Sequence, residues 1–241
     1  ETDRPAVLTV PTTAGTGSEV TQVSVMNRGA EKKTINDPAL LPHAAIVWAR
    51  AGKHAVTYRV RRGEMINFVG VVETDRWRGE SWDQPGNPVD LAEDFGGWAQ
   101  PIPDIIAAAG TCHVWALFDR DPLPRWSEDR VTLLGDACHA MPPFQAQGAA
   151  MAIEDAIVLA KCLQKDGVSE ASLRNYEKLR KPRTSRVLNS ARSNMGVFHR
   201  SNAWSQAATY GPMKMADKLF PAFIRSRQDW IYGYDVRKVV V

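Results

Sequence analysis

The densest concentration of residues able to do chemistry lies between Arg130 and Ala156, in the run RVTLLGDACHAMPPFQAQGAAMAIEDA. Gly135 permits a sharp turn at the end of a strand, and Asp136 then projects a carboxylate that can accept hydrogen bonds from sugar-alcohol hydroxyls. Pro142 and Pro143 predict a rigid extended segment suited to one edge of a planar ring. Gly148 begins a helix whose unpaired backbone N–H groups and positive dipole end would face that ring. A helix N-terminus favours a negative charge placed before it. A flavin, which becomes anionic along one ring edge on reduction, fits all four features. The alternative is an ordinary strand, turn and helix with a capping aspartate, and the Gly-Asp dipeptide alone does not decide between them.

A second pair of candidates is His54 and Tyr58. In a strand, positions i and i+4 share a face, so both side chains can line one pocket. A histidine that titrates near neutrality can accept a phenolic proton and leave the ring a better nucleophile. The alternative is a histidine and a tyrosine on an exposed sheet face. His139 lies inside the longer run and reads as a residue that orients a loop, not as a proton carrier.

These residues need elements to hold them. His54 to Val60 and Met65 to Val72 are β-rich runs separated by Arg61-Arg-Gly-Glu64, a spacing that predicts an antiparallel hairpin with glycine in its turn. Ala6 to Val10 is a short β-prone run, and 38–47 reads as a loop followed by a buried strand. Residues 75–88 read as an irregular loop. Short helices are expected over Val89 to Trp98 and Pro103 to Ala109, and a strand over His113 to Leu117. Val131 to Leu134 is a short apolar strand ended by Gly135-Asp136. From Gly148 to Leu163 the apolar positions recur at helical spacing, and Gly167 should stop that helix. A second long helix, capped by Ser169, should run to about Asn194 with a kink at Pro182, and a further amphipathic helix should cover Met213 to Tyr232.

Composition sets outer bounds. The chain has 241 residues, 44% hydrophobic and 24% charged, with a formal charge of +3. Its longest basic cluster, Lys178 to Arg186, is interrupted, which argues against a nucleic-acid partner. Cys112, Cys138 and Cys162 are widely spaced, with no CxxC pair for zinc or redox exchange, and read as reduced thiols of a cytoplasmic protein. No metal site is expected, and no apolar run approaches the ~20 residues of a membrane helix.

The whole run from Arg130 to Ala156 resembles the second flavin-binding motif of the single-component FAD-dependent aromatic hydroxylases, the group of salicylate, 3-hydroxybenzoate and para-hydroxybenzoate hydroxylases. The resemblance extends from about Ala49 to Arg200. It includes the segment from Trp115 to Trp126, the helix segment from Tyr176 to Arg186, and the strand from Gly52 to Tyr58. It implies an α+β fold, namely part of the FAD-binding fold of the aromatic hydroxylases with a substrate-side antiparallel sheet and C-terminal helices. It also implies FAD as cofactor, NAD(P)H as co-substrate, and a small aromatic substrate with O2. Neither a nucleic acid nor a membrane is an implied partner, and a homodimer is the open oligomeric option. Carried over by position, Gly135 would belong to the cofactor site and Asp136 would bind the flavin ribityl chain or nearby hydroxyls. Pro143, Gln147, Gly148 and Ala149 would lie along the isoalloxazine, and His54 and Tyr58 would serve the substrate.

Residues before about 48 depart from this pattern. The group's GxGxxG turn for the ADP half of FAD has no counterpart here; the nearest run, from Gly15 to Val20, has valine at the third glycine. The segment from Val10 to Thr21, with Lys32, Lys33 and the stretch from Asp37 to Val47, instead resembles the nicotinamide-side segment of iron-containing alcohol dehydrogenases. That family's metal ligands lie further along its chain and have no counterpart after Val47. The expected organisation is therefore chimeric: an alcohol-dehydrogenase-like segment at 1–48, a substrate-side sheet region at 49–128, and the flavin motif with C-terminal helices at 129–241. Three functions stay open: an FAD-dependent monooxygenase acting on a phenolic or hydroxybenzoate-type ring, a non-catalytic truncated or chimeric fragment, and an iron-dependent alcohol dehydrogenase. The chain by itself is expected to bind FAD weakly or not at all.

Overall fold

The computed structural model describes residues 7–10, 45–74, 84–117, 120–220, 223 and 226–241, with 7–10 described by their backbone alone. The loop expected at 38–44, most of the loop expected at 75–88, and the run from Gly15 to Val20 lie outside the described residues. The chain divides into two compact units, one built from the described parts of 1–15, 21–116 and 196–212, the other from those of 117–195 and 213–241.

The first unit is built on a four-stranded antiparallel sheet of β1 (Val7–Val10), β2 (Ala45–Arg50), β3 (Lys53–Val60) and β4 (Met65–Val72), in sequence order. β3 and β4 form the hairpin that the spacing predicts, in register from Lys53 opposite Val72 to Val60 opposite Met65. Gly63 has φ +90° in the connection, and Arg61 and Arg62 share its left-handed backbone. The change of sequence character near Trp48 falls inside β2. That strand pairs with β1 on one side, Val10 opposite Ala45, and with β3 on the other, Trp48 opposite Ala55.

One face of the sheet carries the core. Ile46, Trp48, Ala55, Ile66 and Phe68 pack with Phe95, Trp98, Ile102, Ile105 and Ile106, which lie in and between α1 (Pro88–Asp94) and α2 (Ile102–Ala108). Each large apolar side chain removed from water in this way contributes about 1.5–3 kcal/mol. Phe95 meets Phe68 edge-on at 5.4 Å, and the absence of a side chain at Gly70 makes that approach possible, because a Cβ there would lie 2.6 Å from the Phe95 ring. Trp48 satisfies its indole N–H by donating to Thr57 Oγ1 at 2.9 Å on the same face. The strand expected over His113 to Leu117 is reduced to β6 (Cys112–His113), which pairs with β5 (Pro85–Gly86).

In the second unit a two-residue hairpin, β7 (Ser127–Glu128) and β8 (Val131–Thr132), leads into α3 (Asp136–His139) and α4 (Gly148–Asp166). On α4, Met151, Asp155, Val158 and Cys162 form the buried stripe, and the helix closes at Gly167 with φ +68°. α5 (Glu170–Phe198) then runs for 29 residues, its last three belonging to the first unit. It opens on a reciprocal cap in which Ser169 Oγ accepts from the Ser172 amide at 3.2 Å and Ser172 Oγ from the Ser169 amide at 3.1 Å. Pro182 does not divide α5, which continues through it as a single helix. Trp126, Cys138, Val158, Cys162 and Tyr176 form this unit's core.

The C-terminal expectation needs correction. Helix α6 starts at Ala203 and ends at Leu219, and a separate short helix, α7 (Asp229–Tyr232), follows. A single helix from Met213 to Tyr232 fails at Phe220, which precedes Pro221 and is disfavoured from helical backbone by the proline ring. Beyond α7 the chain returns to α4, where Lys161 Nζ donates to the carbonyls of Arg237 at 2.7 Å and Val239 at 2.9 Å. Among the described residues no helix is long and apolar enough to cross a membrane.

Candidate functional site

The expected flavin motif lies entirely in the second unit. Gly135 is buried with φ +63° and ψ −138°, a backbone open in practice only to glycine, and a Cβ there would press on the Ala152 Cβ at 3.1 Å. The turn therefore brings the chain against α4 and leaves Asp136 exposed at its apex. The Asp136 carboxylate stands beside the first turn of α4, with Oδ1 3.8 Å from the position a Cβ on Gly148 would take. Pro142 is extended, but Pro143 opens a 3-10 turn through Gln145, so the rigid extended segment is one residue long. Ala146, in left-handed backbone, redirects the chain into Gln147, whose side chain supplies no cap to α4.

This arrangement fits a flavin on its own terms. The first turn of a 19-residue helix is uncapped by any side chain, its opening residues Gly148, Ala149 and Ala150 are small, and a carboxylate free to accept hydroxyls stands next to it. Gln147 is buried at the helix entrance. Gly135, Asp136, Gln147, Gly148 and Ala149 are thus drawn together, with Pro143 in the connecting turn.

Beneath the motif lies a charged network that local sequence patterns do not reveal. Asp155, fully buried, accepts from the Gly135 amide at 3.2 Å, from His139 Nε2 at 2.6 Å and from Arg180 Nε at 2.7 Å. Burial alone would raise the Asp155 pKa, but the hydrogen bonds from His139 and Arg180 outweigh it and hold the carboxyl below its ordinary value. Arg180, also fully buried, pairs through Nη1 with Glu154 at 2.8 Å. Glu154 in turn takes a two-pronged contact from Arg183 at 2.7 and 2.8 Å, and the Arg183 guanidinium covers the Tyr234 ring at 3.6 Å. His139 and the Gly135 amide thus share one buried carboxylate, which ties the turn to α4.

Cys138, His139 and Asp155 bring potential ligand atoms within 4.8 Å of one another. The donor set suits a cation poorly. The Asp155 oxygens are already engaged by three donors, one of them a guanidinium, and burial followed by the Asp155 charge pushes the Cys138 thiol up to about 12. All three cysteines are free and buried.

The first unit holds the other candidates. Strand alternation places His54 and Tyr58 on the sheet face opposite Trp48 and Phe68, His54 buried and Tyr58 half-buried. His54 Nδ1 lies 2.6 Å from His199 Nε2, and His199 Nδ1 lies 2.5 Å from Glu73 Oε1. The Phe198 ring packs on His54 at 5.2 Å. Burial, and then the neighbouring His199, lower the His54 pKa to about 3, well away from the near-neutral titration expected of it. His199 and its contact to Glu73 were not apparent from the sequence, since His199 lies 145 residues from His54 and 126 from Glu73.

Comparison with known proteins places these features. Residues 107–191 match the FAD binding domain family, and residues 1–48 match the iron-containing alcohol dehydrogenase family. The chain is 36% identical over 195 residues to a 3-amino-4-hydroxybenzoate 2-monooxygenase of Streptomyces platensis, covering 80% of this chain and 48% of that protein. It is 36% identical over 205 residues to a 6-hydroxynicotinate 3-monooxygenase of Bordetella bronchiseptica, covering 83% and 47%. A solved salicylate hydroxylase substrate complex superposes with a TM-score of 0.67 at 27% identity, over 82% of this chain and 48% of that one. From about residue 49 the chain belongs to the FAD-dependent aromatic hydroxylases. It spans about half the length of the curated relatives it matches.

Proposed function

We propose that this chain supplies the ring-facing and substrate-facing part of an FAD-dependent monooxygenase that hydroxylates a phenolic or hydroxybenzoate-type ring with NAD(P)H and O2. The observation that carries the reading is the uncapped N-terminus of α4 beside the exposed Asp136, held by the Gly135 turn. FAD, when bound, supplies the redox chemistry and the activation of oxygen. The protein's residues bind and orient. Asp136 accepts from ribityl hydroxyls, and the amides of Gly148 and Ala149 face the ring edge that gains negative charge, with Pro143 and Gln147 alongside. His54 and Tyr58 receive the phenol. The relatives' names, which specify hydroxybenzoates and a hydroxynicotinate, support a small hydroxylated aromatic as substrate. The free thiols accord with a cytoplasmic location.

An alcohol dehydrogenase reading has less support, because that match ends at residue 48 and the described cluster of potential ligands lies elsewhere and is already engaged by Arg180. The test is turnover at saturating FAD. With NADH or NADPH and 3-hydroxybenzoate, a dihydroxylated product should accumulate in step with coenzyme oxidation. No product with any of several hydroxybenzoates or hydroxypyridines would contradict the proposal.

A further inference from the structure

We propose that Asn67 determines substrate specificity by donating a hydrogen bond from its side-chain amide to a carboxylate carried on the aromatic ring. The inference deepens the function proposed above and rests on its placing the ring's hydroxyl at His54 and Tyr58. Asn67 is the one polar residue of β4, whose other members from Met65 to Val72 are apolar or glycine. Asparagine is disfavoured in strands, and a buried amide without a partner is destabilising. Both penalties fall on Asn67, which is 6% exposed and whose Nδ2 has no hydrogen-bond partner among the described residues. By contrast, Asn87 donates to Asp90 and accepts from the Val89 amide to cap α1, and Asn194 donates to the Phe144 carbonyl at 3.0 Å. Local rules broken without local compensation are expected where a residue serves a ligand.

Position supplies the second observation. β3 pairs with β4 so that Asn67 stands directly opposite Tyr58, and His54 opposite Val71. Alternation therefore puts Asn67 on the face that carries His54 and Tyr58, away from Phe68. Directly paired residues have their Cβ atoms about 4.5–5.5 Å apart, so a ring held at Tyr58 lies within reach of the Asn67 amide. Among the described residues of the first unit, no other buried side-chain nitrogen or oxygen lacks a hydrogen-bond partner. The unanswered donor thus coincides with the face assigned to the substrate.

The chemistry of the donor selects its partner. An amide N–H only donates and a carboxylate oxygen only accepts, whereas a hydroxyl does both. A hydroxybenzoate-type ring offers one group of each kind. With the hydroxyl at His54 and Tyr58, the carboxylate is left for Asn67, and a hydrogen bond to a charged acceptor is stronger than one between neutral groups. A ring without that carboxylate leaves the amide buried and unpaired, so the site discriminates by penalty as well as by attraction.

Two ligands, 3-hydroxybenzoate and phenol, titrated into the 241-residue chain and followed by NMR, test the assignment without any flavin. The native chain should bind 3-hydroxybenzoate more tightly than phenol by about ten- to 150-fold, the contribution of a hydrogen bond to a charged group. Asn67→Leu should bring that ratio near one, and its urea midpoint should equal or exceed that of the native chain, because no unpaired amide remains. In the native chain, the nitrogen-15-labelled side-chain amide of Asn67 should shift with 3-hydroxybenzoate and stay in place with phenol. A ratio unchanged in Asn67→Leu, or an Asn67 amide that moves equally with both ligands, would overturn the role of Asn67 and leave the proposed function standing. A native chain that binds neither these nor other hydroxylated aromatics would overturn the placement of the ring, and with it the function proposed above.

Discussion

The two units each bury a histidine in a short hydrogen bond, and the two histidines are held in opposite ways. His139 in the second unit is enclosed by charge: Asp155 meets it at 2.6 Å, Arg180 meets Asp155, and Glu154 meets Arg180. That network runs on to Arg183 through side chains no more than 13% exposed, and Asp155 within it secures the Gly135 turn beneath the flavin motif. His54 in the first unit is enclosed by Phe198 and His199, and its chain of contacts ends at an exposed carboxylate. A closed network of fixed charges resists proton movement and holds geometry. A chain that ends at an exposed carboxylate is open to solvent at that end. The two networks thus differ in where they terminate, one among buried charges and the other at the surface.

The largest expected effect comes from breaking the closed network. Asp155→Ala leaves buried Arg180 with Glu154 as its remaining anionic partner and orphans the Gly135 amide, which should cost about 3–5 kcal/mol in urea unfolding. Replacing both partners, Asp155→Leu with Arg180→Met, should recover most of that loss, because no buried charge then remains unpaired. Equal destabilisation by the single and double variants would mean that the network does not behave as a closed charge pair.

The next effect separates His54 from Asp155 by pH. The folded pKa of His54 lies at about 3, below the ordinary value of 6.5, so between these values the unfolded chain binds more protons and stability falls as pH falls. At 1.36 kcal/mol per unit, the loss between pH 6.5 and pH 4 should be about 3 kcal/mol. Asp155 behaves differently, since its folded pKa is lowered. Its contribution is complete above the ordinary aspartate value of about 3.9 and is lost only as pH falls further, through the folded value. Denaturation series from pH 7 to pH 4 should therefore show a decline that His54→Gln abolishes and Arg180→Met leaves in place. A slope unaffected by His54→Gln would contradict the assignment.

A smaller effect is expected at the turn the closed network supports. Gly135→Ala must hold φ near +63° and press its methyl on Ala152, so thermal unfolding should show a loss of about 1–2 kcal/mol. Asp136→Ala, one residue on and exposed, should change stability by less than about 0.5 kcal/mol.

How much of this could be read from the sequence follows the range of the interactions. The β3–β4 hairpin and the extent of α4 from Gly148 to Gly167 were legible, because alternation, helical spacing and glycine punctuation are local signals. The flavin motif was legible as a string whose parts lie within twenty residues. Arg180 was read as part of an interrupted basic cluster, although its spacing from Leu173, Tyr176 and Val187 puts it on the buried stripe of α5. Its partner Asp155 lies 25 residues away, and no periodicity encodes such a pairing. His54 and Tyr58 were assigned to one face by strand geometry, but His199 enters from beyond the end of α5. The C-terminal helix was misplaced: α6 begins ten residues before Met213, runs through Pro212, and ends at Leu219, two residues before Pro221.

The central claim is that Asp136 and the start of α4 hold a flavin, and that the 241-residue chain, which has no GxGxxG turn, does so weakly. The missing pyrophosphate contacts, at even ~4 kcal/mol, would raise the dissociation constant about a thousandfold. Calorimetric titration with FAD tests both halves of the claim. The native chain should bind one equivalent with a dissociation constant above the micromolar range, and Asp136→Ala should weaken it by a further ~1–3 kcal/mol, about five- to 150-fold. Submicromolar stoichiometric binding, or an affinity indifferent to Asp136→Ala, would contradict the account.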